Sequence, residues 1–558
     1  MPVRLHLNHE VTDAAPGASV FDCAEQLGVK VPTSCRKQGK CKECIVEITT
    51  GGEHLSAPGP EEQHLTDGFR LSCRACVRDG APADAEVHGH TMRRGNLVVE
   101  NEAYHLPVHD QDFHLDPAVT RDGDRVLLDG VEIDRRPATE ALHGLALDIG
   151  TTTVVLRLLN LETGERVASS SFENPQRFGG SDVMARIAYD TEDKTRSLQR
   201  TLSGYLAHAI EDLPVDPTSI YEIVIAGNST MRDMFFRLSV YSIGQSPYQS
   251  LTEHEMAEGK RDTTVLTATA KKLGLPVNPA ARVYGMPIIS GHVGADTAAC
   301  MLAADIANED RLIAIMDIGT NTELILGNKN KVMAASCPAG PAFEGGQISC
   351  GMPGLPGAIE KVVMTDDDEF ECSVIGGGEA DGICGSGLVS LLAELVRGDR
   401  MNRLGRFEYD DHEITVDARA EPPVTFNEED INNLAQAKGA NVAGLQIIFQ
   451  QYGITADQLD VFYLAGGFGK HLDLDASRRI GLIPDIPTEK IRQVGNAAVE
   501  GACIALLSKT KRAELEALVR RVEHCRLETH PNFFDVFVEG CQFAPIVSAT
   551  TVGNVTES

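Results

Sequence analysis

The sequence predicts a multidomain chain of mixed α/β and α+β class: a small N-terminal sheet module, a short linker, and a two-lobed body. Three observations predict it. Cysteines gather in Cys35-Arg-Lys-Gln-Gly-Lys-Cys41-Lys-Glu-Cys44, with two more at Cys73 and Cys76. A strand–turn–strand motif, Asp148-Ile-Gly-Thr-Thr-Thr153, returns 169 residues later as Asp317-Ile-Gly-Thr-Asn-Thr322. A third apolar strand, Asp460-Val-Phe-Tyr-Leu-Ala465, runs into Gly466-Gly467.

The first module occupies residues 1–95. Val3-Arg-Leu-His-Leu alternates as a strand does, residues 18–27 read as a short helix stopped by Gly28, and residues 44–48 and 85–88 read as later strands. The cysteine loop lies between helix and strand. Three thiols with five and two residues between them can wrap one inorganic centre, and Gly39 lets the backbone turn so that its N–H groups donate to sulfur. The fourth thiol is Cys73 or Cys76. A zinc site on the same cysteines is the alternative; the isolated fourth cysteine argues against it, because zinc knuckles use paired thiols. The element order resembles the β-grasp ferredoxins, and the loop spacing resembles their vertebrate-type and putidaredoxin-like members. That resemblance implies a 2Fe–2S cluster on Cys35, Cys41, Cys44 and Cys73, since the fourth ligand there follows an Arg-Leu pair like Arg70-Leu71. Arg36, Lys37, Lys40, Lys42, Arg70, Arg74 and Arg78 crowd the same region. They read either as solvated surface or as a positive collar that steers an acidic redox partner.

Residues 96–143 form a linker or small connector domain, with Asp122-Gly and Asp129-Gly as turn signals and Arg125-Val-Leu-Leu as a short strand. Such a linker would let the first module move. His88, His90, His105, His109 and His114 have no helical i, i+4 pair and no supporting cysteine, so no metal is assigned to them.

The body divides into lobes at residues 144–290 and 291–558. In each repeated motif an Asp ends a strand where it can hold a magnesium-bound water, making Asp148 and Asp317 the catalytic candidates. Gly150 and Gly319 permit tight hairpins. Thr151, Thr152 and Thr153, and Thr320, Asn321 and Thr322, offer hydroxyl and N–H groups to phosphate oxygens. One such hairpin is weak evidence; two suggest a clamp on a triphosphate from both sides. Gly466 and Gly467 suit close approach by adenosine. Glu344 is a candidate supporting acid, or else a solvated loop carboxylate. The small-residue stretches 294–300 and 495–502 read as helix starts able to serve a hinge. No Gly-x-x-x-x-Gly-Lys-[Ser/Thr] motif occurs, so the ATP site is not a P-loop. The set resembles the superfamily of actin, sugar kinases and heat-shock chaperones, whose lobes are ribonuclease-H-like repeats.

Composition sets outer bounds. Net charge is −31, Trp is absent and aromatics are 5%, which excludes nucleic acid as a partner: the phosphate term is repulsive and stacking side chains are few. Residues 1–95 hold 11 basic against 13 acidic residues, so nearly all the negative charge lies downstream. No apolar run approaches the roughly 18 residues of a membrane span, and Met1-Pro-Val-Arg-Leu-His-Leu-Asn has no apolar core, so a cytoplasmic protein is expected. Fourteen cysteines do not form a disulfide framework; Cys23, Cys300 and Cys503 fall in helix-like apolar patterns as core thiols.

Taken whole, the chain resembles the reductive activators of corrinoid proteins. Asn174-Pro-Gln-Arg-Phe-Gly-Gly-Ser-Asp-Val183, Ala226-Gly-Asn-Ser-Thr-Met231, Ser246-Pro-Tyr248, Gly340-Pro-Ala-Phe-Glu-Gly345, Gly382-Ile-Cys-Gly-Ser-Gly-Leu388 and Ala465-Gly-Gly-Phe-Gly469 look like blocks of that family. The resemblance implies an ATPase that passes one electron from a 2Fe–2S cluster to Co(II) of a corrinoid protein, regenerating Co(I) for methyl transfer, as in O- or N-demethylase systems. It implies ATP and Mg2+ as further cofactors, an external electron donor (a reductase or ferredoxin), and allows a homodimer. The connector before Asp148 looks shorter than in founding members, which carry a middle domain there. Two other classes share parts of the plan. An activator of 2-hydroxyacyl-CoA dehydratases has such a body without a ferredoxin module ahead of it, and a kinase or chaperone of this fold would use that module as a sensor.

Overall fold

Alternating apolar positions put Val3, Leu5 and Leu7 of strand Val3–Leu7 on one buried face, and the rest of the first module assembles on it. A computed structural model of the chain describes residues 2–8, 10–66, 68–82, 84–92, 98–102, 114–408, 412–420, 422–467 and 469–546. Strand Val3–Leu7 pairs antiparallel with Glu10–Ala14 and parallel with Glu86–Thr91, and the five-stranded sheet continues through Ile45–Thr50 to Phe69–Leu71. Helix Val20–Gln26 is capped by Ser19, whose side chain accepts from the Asp22 N–H. This is the β-grasp arrangement. Strands Glu10–Ala14 and Phe69–Leu71 were not legible in the sequence, the latter because three residues give no periodicity.

The described residues fall into two compact units. One is drawn from Met1–His105, Phe113–Ala295 and Ala502–Arg512, the other from Asp296–Gly501 and Ala513–Ser558. The first unit therefore holds both the β-grasp module and the first lobe. Phe21, Ile45, Phe69 and Leu71 of the module share one apolar core with Leu145, Phe172, Phe178, Tyr205 and Leu206 of the lobe. The expectation of a module swinging on a linker is not met here: apolar side chains on both sides are buried against each other, which holds them together. Part of the connector also joins the lobe, as Val98–Glu102 pairs with Arg166–Glu173. Its later described residues form a three-stranded meander, Val119–Asp122, Arg125–Leu128 and Val131–Arg135. Its second turn places Asp129 at φ 50° and Gly130 at φ 81°, the left-handed pair that a two-residue hairpin needs. His105 and His109 lie outside the described residues.

The lobe's sheet runs Leu266–Thr269, Arg282–Gly285, Ile220–Gly227, His143–Ile149, Thr153–Asn160, Arg166–Glu173, Val98–Glu102. His143–Ile149 pairs antiparallel with the strand after it and parallel with Ile220–Gly227. In the second unit the sheet runs Ile491–Gly495, Val461–Ala465, Ile313–Ile318, Thr322–Gly327, Val332–Cys337, Glu523–His524. Ile313–Ile318 is again antiparallel to its successor and parallel to Val461–Ala465. Three consecutive antiparallel strands followed by parallel neighbours on the far side recur in both units, so the repeated motif marks a repeated fold. Among the described residues no helix is long and apolar enough to cross a membrane.

Candidate functional site

The cysteine loop is curled by left-handed backbone at four positions. Arg36, Lys37, Gly39 and Lys42 adopt φ of 52°, 64°, 72° and 63°, and a Cβ on Gly39 would lie 2.6 Å from Arg74 Nε. The curl turns amides inward. Burial disfavours a Cys35 thiolate, but N–H groups of Cys41, Lys40 and Gln38 donate to its sulfur and bring its pKa down to about 7. Burial raises Cys41, against N–H groups of Glu43 and Ser34 that point at it. The Cys44 thiol donates to Cys73 Sγ at 3.3 Å; that bond, helped by the Gly39 N–H and opposed by burial, brings Cys73 to about 7 and pushes Cys44 up. The four thiols thus stand as two pairs, Cys35 with Cys41 and Cys44 with Cys73, under a canopy of donating amides. Two thiolates per iron and N–H groups on sulfur are what a 2Fe–2S cluster requires, so the residues fit that group. Cys76, by contrast, is tied into backbone pairing with Ser19, and its N–H donates to Ser56 Oγ.

The basic collar is smaller than the sequence suggests. Arg70 is buried and bound to buried Glu62 through Nε at 2.9 Å and Nη2 at 3.1 Å; the same carboxylate accepts the Leu71 N–H at 2.9 Å. That pair fixes the strand leading to Cys73 and presents no charge to solvent. Lys37 bridges Asp22 and Glu25, each at 2.7 Å, and Arg74 faces Glu61 at 3.6 Å. Arg36 and Lys40 remain exposed without a carboxylate partner among the described residues.

In the first lobe the hairpin backbone closes through Gly150 N–H to the Thr153 carbonyl at 3.0 Å, and a Cβ on Gly150 would sit 2.6 Å from that oxygen. Two amide side chains grip it. Asn174 Nδ2 donates to the Gly150 carbonyl at 2.8 Å, and Asn228 Nδ2 donates to Thr151 Oγ1 at 3.0 Å. Asn228 also caps helix Ser229–Phe235. Thr151 is buried by this contact, whereas Thr152 is half-buried and Thr153 exposed beside half-buried Asp148.

In the second unit Gly466 (φ 103°) packs onto the hairpin so closely that a Cβ would lie 2.4 Å from the Ile318 carbonyl and 3.1 Å from Asp317 Oδ1. Gly467 has open space around it. Thr320 donates its hydroxyl to Glu344, so Glu344 reaches the hairpin rather than standing in a solvated loop. Thr322 is fully buried, while Gly319 and Asn321 are accessible. Sequence reasoning missed the acids behind this hairpin. Glu323 is buried and accepts from Ser336 Oγ at 2.9 Å and Thr297 Oγ1 at 3.1 Å; burial first, then Asp296 and Asp317, raise its pKa well above the usual carboxylate range. The signal was present in Thr322-Glu-Leu-Ile-Leu326, a lone charge in an otherwise apolar strand. Cys300 Sγ donates to Asp317 Oδ2 at 3.2 Å.

A four-thiol β-grasp module preceding a twice-repeated hairpin sheet defines an iron–sulfur protein with an actin-type nucleotide-binding body. Comparison with known proteins narrows the class. Residues 5–78 match the 2Fe-2S iron-sulfur cluster binding domain, residues 143–309 the RACo middle region, and residues 311–551 the C-terminal, ASKHA domain of RACo. A solved structure of a reductive activator for corrinoid, iron-sulfur protein superimposes with TM-score 0.71 at 25% identity, covering 97% of this chain and 98% of the other. The corrinoid activation enzyme RamQ of Eubacterium limosum is 28% identical over 97% of this chain and 99% of its own length. A [Co(II) methylated amine-specific corrinoid protein] reductase of Methanosarcina barkeri is 23% identical over 71% of this chain and 76% of its own. The chain belongs to the family of reductive activators of corrinoid proteins. The expected shortening ahead of Asp148 is not borne out as a missing domain: the family's middle region falls on residues 143–309, and coverage is nearly complete in both directions.

Proposed function

We propose that this protein reductively activates a corrinoid protein, delivering one electron to Co(II) to give Co(I) in an ATP-dependent reaction that restores a methyltransferase system. The conjunction of two paired thiols under donating amides with two Asp-ended hairpins in one chain carries this reading, and the relatives' names supply the substrate class. Cys35, Cys41, Cys44 and Cys73 would hold a 2Fe–2S cluster, which would supply a one-electron carrier at roughly −400 mV, replenished by an external reductase or ferredoxin. The loop amides favour anionic sulfur and set how readily negative charge is accepted there. Asp148 and Asp317 are assigned to Mg2+ and its waters. Thr152 and Thr153, with Gly319 and Asn321, are assigned to phosphate oxygens; Thr151, Thr320 and Thr322 shape the turns from buried positions. Gly466 and Gly467 are assigned to the adenosine. Because Co(II) reduction is uphill, nucleotide binding or hydrolysis must favour a state of the docked corrinoid protein in which cobalt is easier to reduce.

The test is reduction of a Co(II) corrinoid protein by the reduced, cluster-loaded protein, followed by absorbance with and without ATP. Accumulation of Co(I) only with ATP is expected. Equal reduction in both arms, or none in either with the cluster reduced, overturns the reading.

A further inference from the structure

Asn174-Pro-Gln-Arg-Phe-Gly179 is prominent in the sequence, yet neither the cluster nor the nucleotide assignment uses it. In the structure its two ends touch those two sites. At one end the fully buried Asn174 donates Nδ2 to the Gly150 carbonyl at 2.8 Å and its backbone N–H to the Thr152 carbonyl at 2.7 Å. Its Oδ1 then accepts from Gln176 N–H at 3.0 Å, capping the single 3-10 turn Pro175–Gly179. At the other end the turn meets the β-grasp module. The Phe178 carbonyl accepts from Thr66 Oγ1 at 2.6 Å, and the Arg177 guanidinium lies 3.2 Å from Glu47. Tyr189, whose ring packs edge-on to Phe178 at 5.6 Å, donates its hydroxyl to the His64 carbonyl at 2.5 Å.

A second route runs from the same turn. A Cβ on Gly179 would lie 2.6 Å from Leu198 Cδ2, so the turn is seated on helix Ser197–Glu211. That helix lets the cysteine loop approach at Gly204, where a Cβ would meet Glu43 Cγ at 2.7 Å, and His208 Nε2 stands 3.2 Å from Glu43 Oε2. Glu43 sits between Cys41 and Cys44 and aims its N–H at the Cys41 sulfur. The Gly150 and Thr152 carbonyls and the cysteine loop are thus joined by hydrogen bonds and close side-chain packing, through groups that are buried or half-buried except for exposed Thr66.

We infer that the turn Pro175–Gly179, with Thr66, Glu47 and Tyr189 as positioning residues, links occupancy of the Asp148–Thr153 hairpin by a nucleotide to the redox state of the cysteine loop. This rests on the reading that the hairpin takes a nucleotide and the loop a cluster. A change in Gly150 or Thr152 on phosphate binding moves the acceptors of Asn174, and the closed packing around the turn passes that change to the loop amides. Linkage makes the effect reciprocal: if nucleotide alters the ease of reducing the loop's centre, reduction must alter nucleotide affinity by the same factor.

The experiment measures Mg-nucleotide affinity by calorimetry on the full cluster-loaded chain, oxidised and reduced, using a non-hydrolysable ATP analogue. The wild type is expected to differ about fivefold or more between the two states. The triple variant Thr66→Val/Glu47→Gln/Tyr189→Phe keeps the apolar packing, and is expected to bind nucleotide and retain its visible absorbance while the difference falls below about twofold. Thr66→Val alone, a near-isosteric change, guards against misfolding of the triple variant and should reduce the difference measurably. Nucleotide binding that is equal in both redox states of the wild type overturns the link, as does a full difference in both variants. Absence of any nucleotide binding by the oxidised wild type overturns the site assignment itself, and the link with it.

Discussion

The two Asp-Ile-Gly-Thr hairpins have the same strand order, yet they are held by opposite chemistry. Hairpin 148–153 is gripped by neutral amides, Asn174 and Asn228, which donate to a carbonyl and a hydroxyl. Hairpin 317–322 is surrounded by carboxylates: Glu344 accepts from Thr320, and Glu323 with Asp296 lies behind Asp317. A common backbone fixes the shape of each turn, while the side chains around it set its chemical surroundings. Amide donors can tie the first hairpin to a neighbouring module without adding charge. Clustered acids behind the second repel one another and, with burial, raise the pKa of Glu323.

If both hairpins serve one nucleotide, Asp148→Asn and Asp317→Asn should each lower ATP hydrolysis by about 100-fold, the scale of losing a charge-stabilising group, with the cluster spectrum unchanged. Full hydrolysis in one of the two would make that hairpin structural symmetry only. The glycines should then separate the lobes. Gly150→Ala pushes a Cβ to 2.6 Å from the Thr153 backbone oxygen, whereas at Gly319 the nearest atom is 3.4 Å away. Nucleotide binding should weaken about tenfold in Gly150→Ala and stay within about twofold in Gly319→Ala. Equal losses would mean the two turns are equally tight in solution.

Charge near the cluster offers a smaller effect. With Arg70 buried on Glu62 and Lys37 bound by Asp22 and Glu25, the exposed collar cations with no carboxylate partner among the described residues are Arg36, Lys40 and Arg78, of which Arg36 and Lys40 lie in the cysteine loop itself. Arg36→Glu/Lys40→Glu should slow Co(II) reduction roughly threefold at low salt, and the gap to wild type should close as salt rises. A salt-independent rate untouched by the reversal would make this surface merely solvated.

Opposite pH slopes are the finest contrast. His64, beside Phe178, is held down at about 4 by burial first and Lys42 second, against Asp193 and Glu62; unfolded, it titrates at 6.5. Its contribution to stability is complete above that value and is lost as pH falls toward 4. Glu323 is raised above 4.5, so its contribution is present below 4.5 and is lost as pH rises. His64→Phe should gain a few degrees in thermal midpoint on wild type at about pH 5 relative to about pH 7.5, and Glu323→Gln without added metal should gain at about pH 8 relative to about pH 5. Gains of the same sign with pH in both variants would erase the contrast.

Local pattern carried most of the fold. Alternation in Val3–Leu7, the short helix stopped by Gly28, the Asp-Gly turns and the duplicated Asp-Ile-Gly-Thr motif are properties of a few consecutive residues, and each can be read without knowing what packs on it. The loop thiols were legible for the same reason, because close spacing forces them round one centre. Side-chain environment was not legible. Arg70 looked like surface charge until Glu62 met it; Glu344 looked solvated until Thr320 reached it; Glu323 drew no notice among apolar neighbours.

By itself, then, the sequence determined the modules, their order and the chemistry each could carry, since spacing and periodicity are short-range and survive in one dimension. Only the tertiary structure decided that the β-grasp module shares a core with the first lobe, that Asn174 holds the Gly150 turn, and that the cysteine loop rests on helix Ser197–Glu211. Those contacts join residues from tens to more than a hundred positions apart. Burial and hydrogen-bond geometry depend on what folding brings alongside, and no local pattern records it.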